Sequence, residues 1–508
     1  MENASKELEF IFCLPEGTRD LFNEALYSPF CISVCSGTLD VGDYKQYMAE
    51  EAFILNAVAE GYTTAQQYAS EADSHVLAAL GDQIKYEIES RKKNLEVCDL
   101  ELNGTLHKAA ESYTELLLDT AKSGKNAMFL SLVSSWMGLY KALSGHFKLM
   151  DLPHNNPYCY SWINMHESEN FVDFGLETDY IFSRSWSWSA LSNPNEDLEI
   201  VRNYRRGMEL TIEFFYAQAS HIRTALPLIS GERKTKFSIN VELGCVLFPR
   251  RSYTSYKEGL ISIEDDEQYQ RCLAIMFPAI SVEFSYGKVE QAYFNHFSSY
   301  RRKTTEKLDG SRDLVGIRRG AMTTAFRKSV SIYSWFRKIY PEMLNLRGDS
   351  GYIRVYSSCY CLDVIRGVFE AADFPNLTIY AGEHTVNKGI TTGKVVSRWS
   401  AIDMAKMVEI EGDDHCFTIC IGREMEDLPC LLKADLGIIV DNGAIDVSVL
   451  QDLGERFGVK FEDLFMGVML RQQELCGGGS PKWYGHGTIY VACGWDELYA
   501  FLKALKKP

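Results

Sequence analysis

The sequence predicts two domains, an all-α helical bundle over residues 1–230 and an α/β domain with a parallel sheet over residues 231–508. Three observations carry this prediction. A chain of 508 residues exceeds what one hydrophobic core organises. Up to about residue 230, apolar positions recur every 3.6 residues and prolines are few. Past Ser230, short β-rich runs alternate with helical segments, as strands and their crossover helices do.

In the first half, Tyr44, Tyr47, Met48, Glu51, Leu55 and Val58 share one helix face, and Phe129, Leu132, Val133, Trp136, Tyr140 and Leu143 share another. Met208, Thr211, Phe215 and Ala219 mark a further helix. Each stripe must be buried against another helix, which is the condition for a bundle. Gly231-Glu232-Arg233-Lys234 marks the junction. Beyond it, Tyr352–Ser357, Leu377–Tyr380, Cys416–Ile421, Leu436–Val440 and Thr488–Cys493 are the expected strands. The stretch from about 265 to 345, aromatic and basic at helical spacing, reads as a helical cap inserted after the first strand. Gly477-Gly478-Gly479-Ser480-Pro481 is a loop breaker without the Gly-Lys-Ser/Thr of a phosphate cradle.

With 69 acidic and 52 basic side chains, the net charge of −17 argues against a nucleic-acid partner. Arg301-Arg302-Lys303 and Arg318-Arg319 read as solvated helix faces. The acidic start, Met1-Glu2-Asn3-Ala4-Ser5-Lys6-Glu7, lacks the basic, acid-poor character of a transit peptide, so the cytoplasm is the expected compartment. No apolar run approaches the roughly 18 residues of a membrane span, so no membrane partner is expected. The fourteen cysteines form no Cys-x-x-Cys pair and are expected to be reduced, buried thiols. Ten histidines without a ligand cluster predict no metal in the bundle.

Tyr27-Ser28-Pro29-Phe30, Ser36-Gly37-Thr38-Leu39-Asp40 and Tyr47-Met48-Ala49-Glu50-Glu51-Ala52-Phe53 resemble the TenA, or thiaminase II, family. Phe417-Thr418-Ile419-Cys420-Ile421-Gly422 and the segment from Asp427 to Val440 resemble a haloacid dehalogenase-like phosphatase. Joined in this order, over about residues 15–505, the two are similar to the plant bifunctional thiamin-salvage family. That resemblance implies a haem-oxygenase-like bundle and a Rossmannoid domain with a cap. It also implies an aminopyrimidine hydrolase coupled to a thiamin monophosphate phosphatase, and self-association through the helical domain.

Carried over residue by residue, the TenA resemblance puts Glu51 where a carboxylate holds the aminopyrimidine, and Tyr113 and Tyr140 at pocket tyrosines. Trp136 stands where a nucleophilic cysteine is expected, Thr211 where a catalytic glutamate is, and His166 where a pocket tyrosine is. An indole forms no covalent adduct, and a neutral hydroxyl supplies no carboxylate's acid–base service. Trp136 can fill the pocket or line it. Glu51 and His166 remain the candidate catalytic groups, within a ligand-binding set of Glu51, Tyr113, Trp136, Tyr140, His166 and Thr211.

In the phosphatase-like half, Asp-x-Asp-x-Thr is expected after the first strand, and Phe237-Ser238-Ile239-Asn240-Val241-Glu242 fits best. Asn240 then sits at the nucleophile and Glu242 at the second acid. Ser357 keeps the second motif, while Met404 replaces the phosphate-binding lysine, with Lys406 nearby. In Gly422-Arg423-Glu424-Met425-Glu426-Asp427 a guanidinium replaces a magnesium-binding carboxylate. At roughly 4 Å and an effective dielectric near 20, unit charges interact by about 4 kcal/mol, so that exchange turns attraction for the metal into repulsion. No cofactor is expected. Arg423, Ser357 and Lys406 could instead form an anion site, and Asp427 could pair with Arg423.

The resulting expectation is a divergent relative, impaired in both ancestral activities and acting as a ligand-binding or regulatory protein. The alternative is an enzyme with rewired chemistry in the TenA-like pocket, acting on a nitrogen heterocycle or other small metabolite.

Overall fold

The computed structural model describes residues 18–97, 106–150, 156–192, 194–218, 224–226, 236–249, 289, 315–318, 330–347, 351–357, 362–374, 376–397, 401–413, 416–423, 427–441, 454, 456–479, 483 and 487–505. They divide into two compact units, Met1–Leu226 with Val468–Pro481, and Pro227–Gly467 with Lys482–Pro508.

In the first unit the helices are α1 (Arg19–Leu26), α2 (Pro29–Ser36), α3 (Val41–Gln66), α4 (Glu71–Val97), α5 (Lys108–Lys122), α6 (Asn126–Leu149), α7 (Pro157–His166), α8 (Glu169–Ser192) and α9 (Pro194–Ala217). Their starts are written in the sequence. Ser28 Oγ accepts from Cys31 N at 3.3 Å ahead of Pro29, and Asp40 Oδ1 accepts from Asp43 N at 3.0 Å. Asn156 caps α7 through Tyr158 N at 2.9 Å, again ahead of a proline. Gly37, at φ 71, ends α2 in the left-handed conformation. Helix α6 packs against α5, α7, α8 and α9, so it is central, and its expected stripe from Phe129 to Leu143 is buried. Helix α3 packs on α4, α5 and α6, with Phe30 of α2 stacked between Tyr47 and Phe215 at centroid distances of 4.5 and 5.5 Å. Ala219 lies outside the described residues, as does the junction at 231–234.

The second unit is built on a seven-stranded parallel sheet of β1 (Lys236–Glu242), β5 (Tyr352–Tyr356), β6 (Leu377–Tyr380), β9 (Cys416–Gly422), β10 (Leu436–Val440), β11 (Lys460–Asp463) and β12 (Thr488–Ala492). The order is β11-β12-β10-β9-β1-β5-β6. Chain order reverses between β1 and β9, and the crevice outside their carboxyl ends is where open α/β sheets place their sites. Strands β9 and β10 are buried throughout, which explains why they read as unbroken apolar runs. Helices α10 (Ser334–Arg347), α11 (Leu362–Ala371), α12 (Ala401–Asp413), α13 (Leu428–Lys433), α14 (Leu464–Cys476) and α15 (Trp495–Ala504) follow in sequence.

The expected helical cap is corrected where the structure describes it. Val315–Arg318 and Val330–Ile332 are strands, β3 and β4, and α10 packs on β1 and β5 of the main sheet. Strand β4 pairs antiparallel with β2 (Leu247–Pro249), and β3 with β8 (Ile390–Ser397). Val-Gly-Ile-Arg has β-branched residues two apart, a strand rather than a helix period. For the same reason Arg318 ends a strand and does not sit on a helix face, while 301–303 and Arg319 lie outside the described residues. Strand β8 also pairs with β7 (Glu383–Asn387), across a turn in which Lys388 and Gly389 have φ of 51 and 77. Those left-handed angles are what a two-residue hairpin turn requires.

Of the described cysteines, Cys31, Cys35, Cys159, Cys245, Cys416, Cys420 and Cys430 are buried free thiols, whereas Cys476 and Cys493 are exposed. Among the described residues, no helix is long and apolar enough to cross a membrane.

Candidate functional site

Within the bundle, the structure gathers Glu51, Tyr140 and His166 and adds two residues that sequence reading missed, Arg91 and Tyr47. Tyr47 Oη donates to Glu51 Oε1 at 2.6 Å and lies 3.3 Å from Tyr140 Oη. Arg91 Nε donates to Glu51 Oε2 at 3.0 Å, and Arg91 Nη1 to Glu87 Oε2 at 3.1 Å. His166 Nε2 lies 3.3 Å from Glu51 Oε1, and Nδ1 lies 2.8 Å from the Trp162 carbonyl. Both ring nitrogens thus face oxygen atoms, one of a carboxylate and one of the backbone. Arg91 Nη2 has no hydrogen-bond partner among the described residues.

The signal for Arg91 was in the sequence. Leu77, Leu80, Ile84, Ile88 and Arg91 fall on one buried face of α4, so a guanidinium stands at a core position of an amphipathic helix. A charge placed there needs a buried partner, and Glu51 is it.

Trp136 settles against Tyr140 and Phe171, at centroid distances of 5.2 and 6.2 Å. Tyr47, Glu51, Arg91, Trp136, Tyr140 and His166 are each at most 1% accessible to water, so no water-sized void touches them. The remaining two members of the predicted set each bond to backbone, Tyr113 Oη donating to Leu132 O at 3.1 Å and Thr211 Oγ1 to Gly207 O at 2.9 Å within its own helix, and the Thr211 and Ser135 hydroxyls also face the Tyr113 phenol.

Burial pushes the Glu51 carboxyl up, but the Arg91 guanidinium, His166 and the Tyr47 hydroxyl together outweigh it and hold it down at about 2. A carboxyl lowered in the folded state contributes stability that is complete above its unfolded value of 4.5 and is lost as pH falls toward 2. The interval corresponds to about 3 kcal/mol. Urea unfolding at stepped pH is expected to show this loss in the wild-type protein and a shallower one in Glu51→Gln.

At the sheet's switch point, Asn240 is fully buried, its Nδ2 3.4 Å from both Ser238 Oγ and Ile419 O, and its Oδ1 has no hydrogen-bond partner among the described residues. Glu242 Oε2 accepts from Cys245 N at 3.2 Å and caps the turn after β1. Ser357 closes β5 with its N–H on Tyr380 O at 2.9 Å. Asp427 is buried, with Oδ2 accepting from Arg423 N–H at 3.0 Å and Oδ1 from Tyr356 Oη at 3.2 Å. Gly422 makes room for that arrangement, since a Cβ there would lie 2.7 Å from Asp427 Cβ. Asp427 therefore holds Arg423 through its backbone N–H. Met404 is in the apolar core beside Cys430 and Leu431, and Lys406, two residues on, is exposed. Residues two apart on a helix point to opposite sides, so Lys406 is removed from the anticipated anion site.

Among the described residues, no group of three or more His, Cys, Asp or Glu side chains is placed to hold a metal ion.

No protein-family model matches the chain. Over 544 aligned residues it is 26% identical to the "Bifunctional TH2 protein, mitochondrial" of Arabidopsis thaliana, spanning 94% of this chain and 86% of that protein. The chain is similar to the bifunctional TH2 protein over most of its length. The shared length takes in both units, the TenA-like bundle and the haloacid dehalogenase-like sheet. Among solved structures, a TenA homologue from Pyrococcus furiosus is 16% identical with a TM-score of 0.37, covering 42% of this chain and 99% of that one. A haloacid dehalogenase family hydrolase from Salmonella enterica serovar Typhi is 11% identical with a TM-score of 0.26, covering 41% of this chain and 65% of that one.

Proposed function

We propose that this TH2 relative is a binding or regulatory protein that has given up both ancestral reactions, aminopyrimidine hydrolysis in the bundle and thiamin monophosphate hydrolysis at the sheet. One observation carries the reading: Glu51, the carboxylate that would receive a cationic heterocycle, is fully buried and already neutralised by Arg91 at 3.0 Å. The guanidinium takes the part of the ligand. Trp136 and Thr211 stand where the resemblance expects the nucleophile and the acid–base carboxylate, and neither side chain supplies that service.

The phosphatase-like centre supports the same reading. Magnesium prefers octahedral oxygen ligands, usually with carboxylates among them. Asn240 offers an amide, Asp427 has both oxygens engaged, and the Arg423 guanidinium shares the loop. These residues do not fit the ion, so the proposal includes no cofactor. It also includes no nucleic-acid or membrane partner, a cytoplasmic location and self-association through the bundle.

Purified protein is expected to release no phosphate from thiamin monophosphate with magnesium, and no product from aminopyrimidines. Magnesium-dependent hydrolysis that Asn240→Ala abolishes would overturn the proposal. A second reading, a rewired enzyme on another nitrogen heterocycle, draws on the 3.3 Å contact of His166 with Glu51. It requires turnover in a metabolite screen that both Glu51→Gln and His166→Ala remove.

A further inference from the structure

The strand that ends at Arg423 and the short helix that follows it bring two sulfurs into contact. Cys420 Sγ on β9 lies 2.9 Å from Cys430 Sγ on α13, and both residues are fully buried. Among the described cysteines the other seven are free thiols. A disulfide bond is about 2.05 Å long, so the two sulfurs need close by less than ~1 Å, well within the adjustment of two side chains.

We propose that Cys420 and Cys430 are a modification site, a dithiol that peroxide converts to a disulfide across the base of the Arg423–Asp427 loop. One sulfur attacks a peroxide oxygen, giving a sulfenic acid and releasing water; the second sulfur attacks the first and expels the sulfenic oxygen as a second water. Two thiols and one hydrogen peroxide thus yield one disulfide and two waters. Two electrons pass from sulfur to the peroxide, and no further reductant or oxidant is needed.

The surroundings favour this pair over a mixed disulfide or an overoxidised thiol. Tyr356, Met404, Val408, Leu428 and Leu431 enclose it in the apolar core, so peroxide reaches it only when that packing opens, and a bulky thiol far less readily. Burial, then Cys430 and the Asp427 carboxylate, push the Cys420 thiol well above the ordinary thiol range, so Cys420 rests as a thiol. A sulfenic acid formed on either residue meets the other sulfur at once. The bridge would tie the end of β9 to α13 and fix the segment in which Asp427 holds the Arg423 N–H.

The test uses the folded full-length protein. It is treated with hydrogen peroxide until the exposed Cys476 and Cys493 no longer alkylate, then denatured, capped with iodoacetamide and digested without reductant. The expected product is a peptide pair joined through Cys420 and Cys430, lighter by two hydrogens and separated by reduction. It should be absent in Cys430→Ser, whose exposed cysteines oxidise as before. Finding Cys420 and Cys430 both carbamidomethylated, or either one joined to a different cysteine, overturns the proposal.

Discussion

Arg91→Met is expected to lower the stability of the bundle by about 3–5 kcal/mol, because it leaves the Glu51 carboxylate buried without its guanidinium. Methionine keeps the arginine's unbranched stem and is close to it in volume, so most of the loss reports the charge and not a cavity. Tyr47 and His166 would still hold Glu51 Oε1, while Oε2, which now accepts from Arg91 Nε, would have no donor. The paired change Glu51→Leu with Arg91→Met removes both charges together. Its cost should be well below the sum of the single costs, since buried ion pairs replaced by apolar groups of similar volume are often neutral or stabilising. Urea denaturation of the four proteins gives the coupling. A single-substitution loss below about 0.5 kcal/mol would mean that Arg91 is a surface-like residue, and the account of an internally occupied site would fall.

Much of the architecture was legible because burial writes itself into periodicity. The strands of the main sheet that the sequence predicts coincide with β5, β6, β9, β10 and β12, and β9 and β10 are buried along their whole length, as inner strands covered on both faces are. The hairpin β7–β8 was not legible: its strands carry Glu383, His384, Thr385, Thr391 and Thr392, with no apolar face to follow. Its turn, Lys388-Gly389, places left-handed angles on a residue type that does not announce them. Within the expected cap, Val315–Arg318 and Val330–Ile332 are strands, since aromatic and basic residues suit a helix or a short strand equally.

The candidate sites divide along similar lines. Positions read by analogy with a family motif, Glu51, Tyr140 and His166, come together in the fold, whereas Tyr113 and Thr211 bind backbone carbonyls. Which hydroxyl reaches a pocket and which reaches a carbonyl depends on rotamer and neighbour, and neither is encoded in spacing. Arg91 was overlooked because no motif includes it. Its presence on an apolar stripe is a purely physical anomaly, and it changes the meaning of Glu51 from a waiting carboxylate to a satisfied one. Asp427 shows the same shift at the sheet, where the acid that could have served a metal instead organises the loop that carries Arg423.

Trp136→Ala carries the other large expected effect, a loss of about 3–5 kcal/mol, the range for deleting a fully buried aromatic side chain. Trp136 is 1% exposed and packed on Tyr140 and Phe171, so the vacated volume is walled by rings and lies next to the Tyr47–Glu51–His166 cluster. Indole should bind there and return part of the lost stability, by about 2.7 kcal/mol at a hundredfold excess over its dissociation constant. The wild-type protein should not respond to indole, because the side chain already fills the space. Thermal melts with and without indole separate the cases: a folded Trp136→Ala protein that indole fails to stabilise would show that the site collapses when emptied. Trp136→Cys extends the argument to chemistry. It supplies the thiol that the TenA resemblance expects and opens the same space, yet Thr211 remains a neutral hydroxyl bound to Gly207 O, and Arg91 still neutralises Glu51. Under the proposed function, hydrolysis of an aminopyrimidine should therefore stay absent in Trp136→Cys and require Arg91 and Thr211 to change as well.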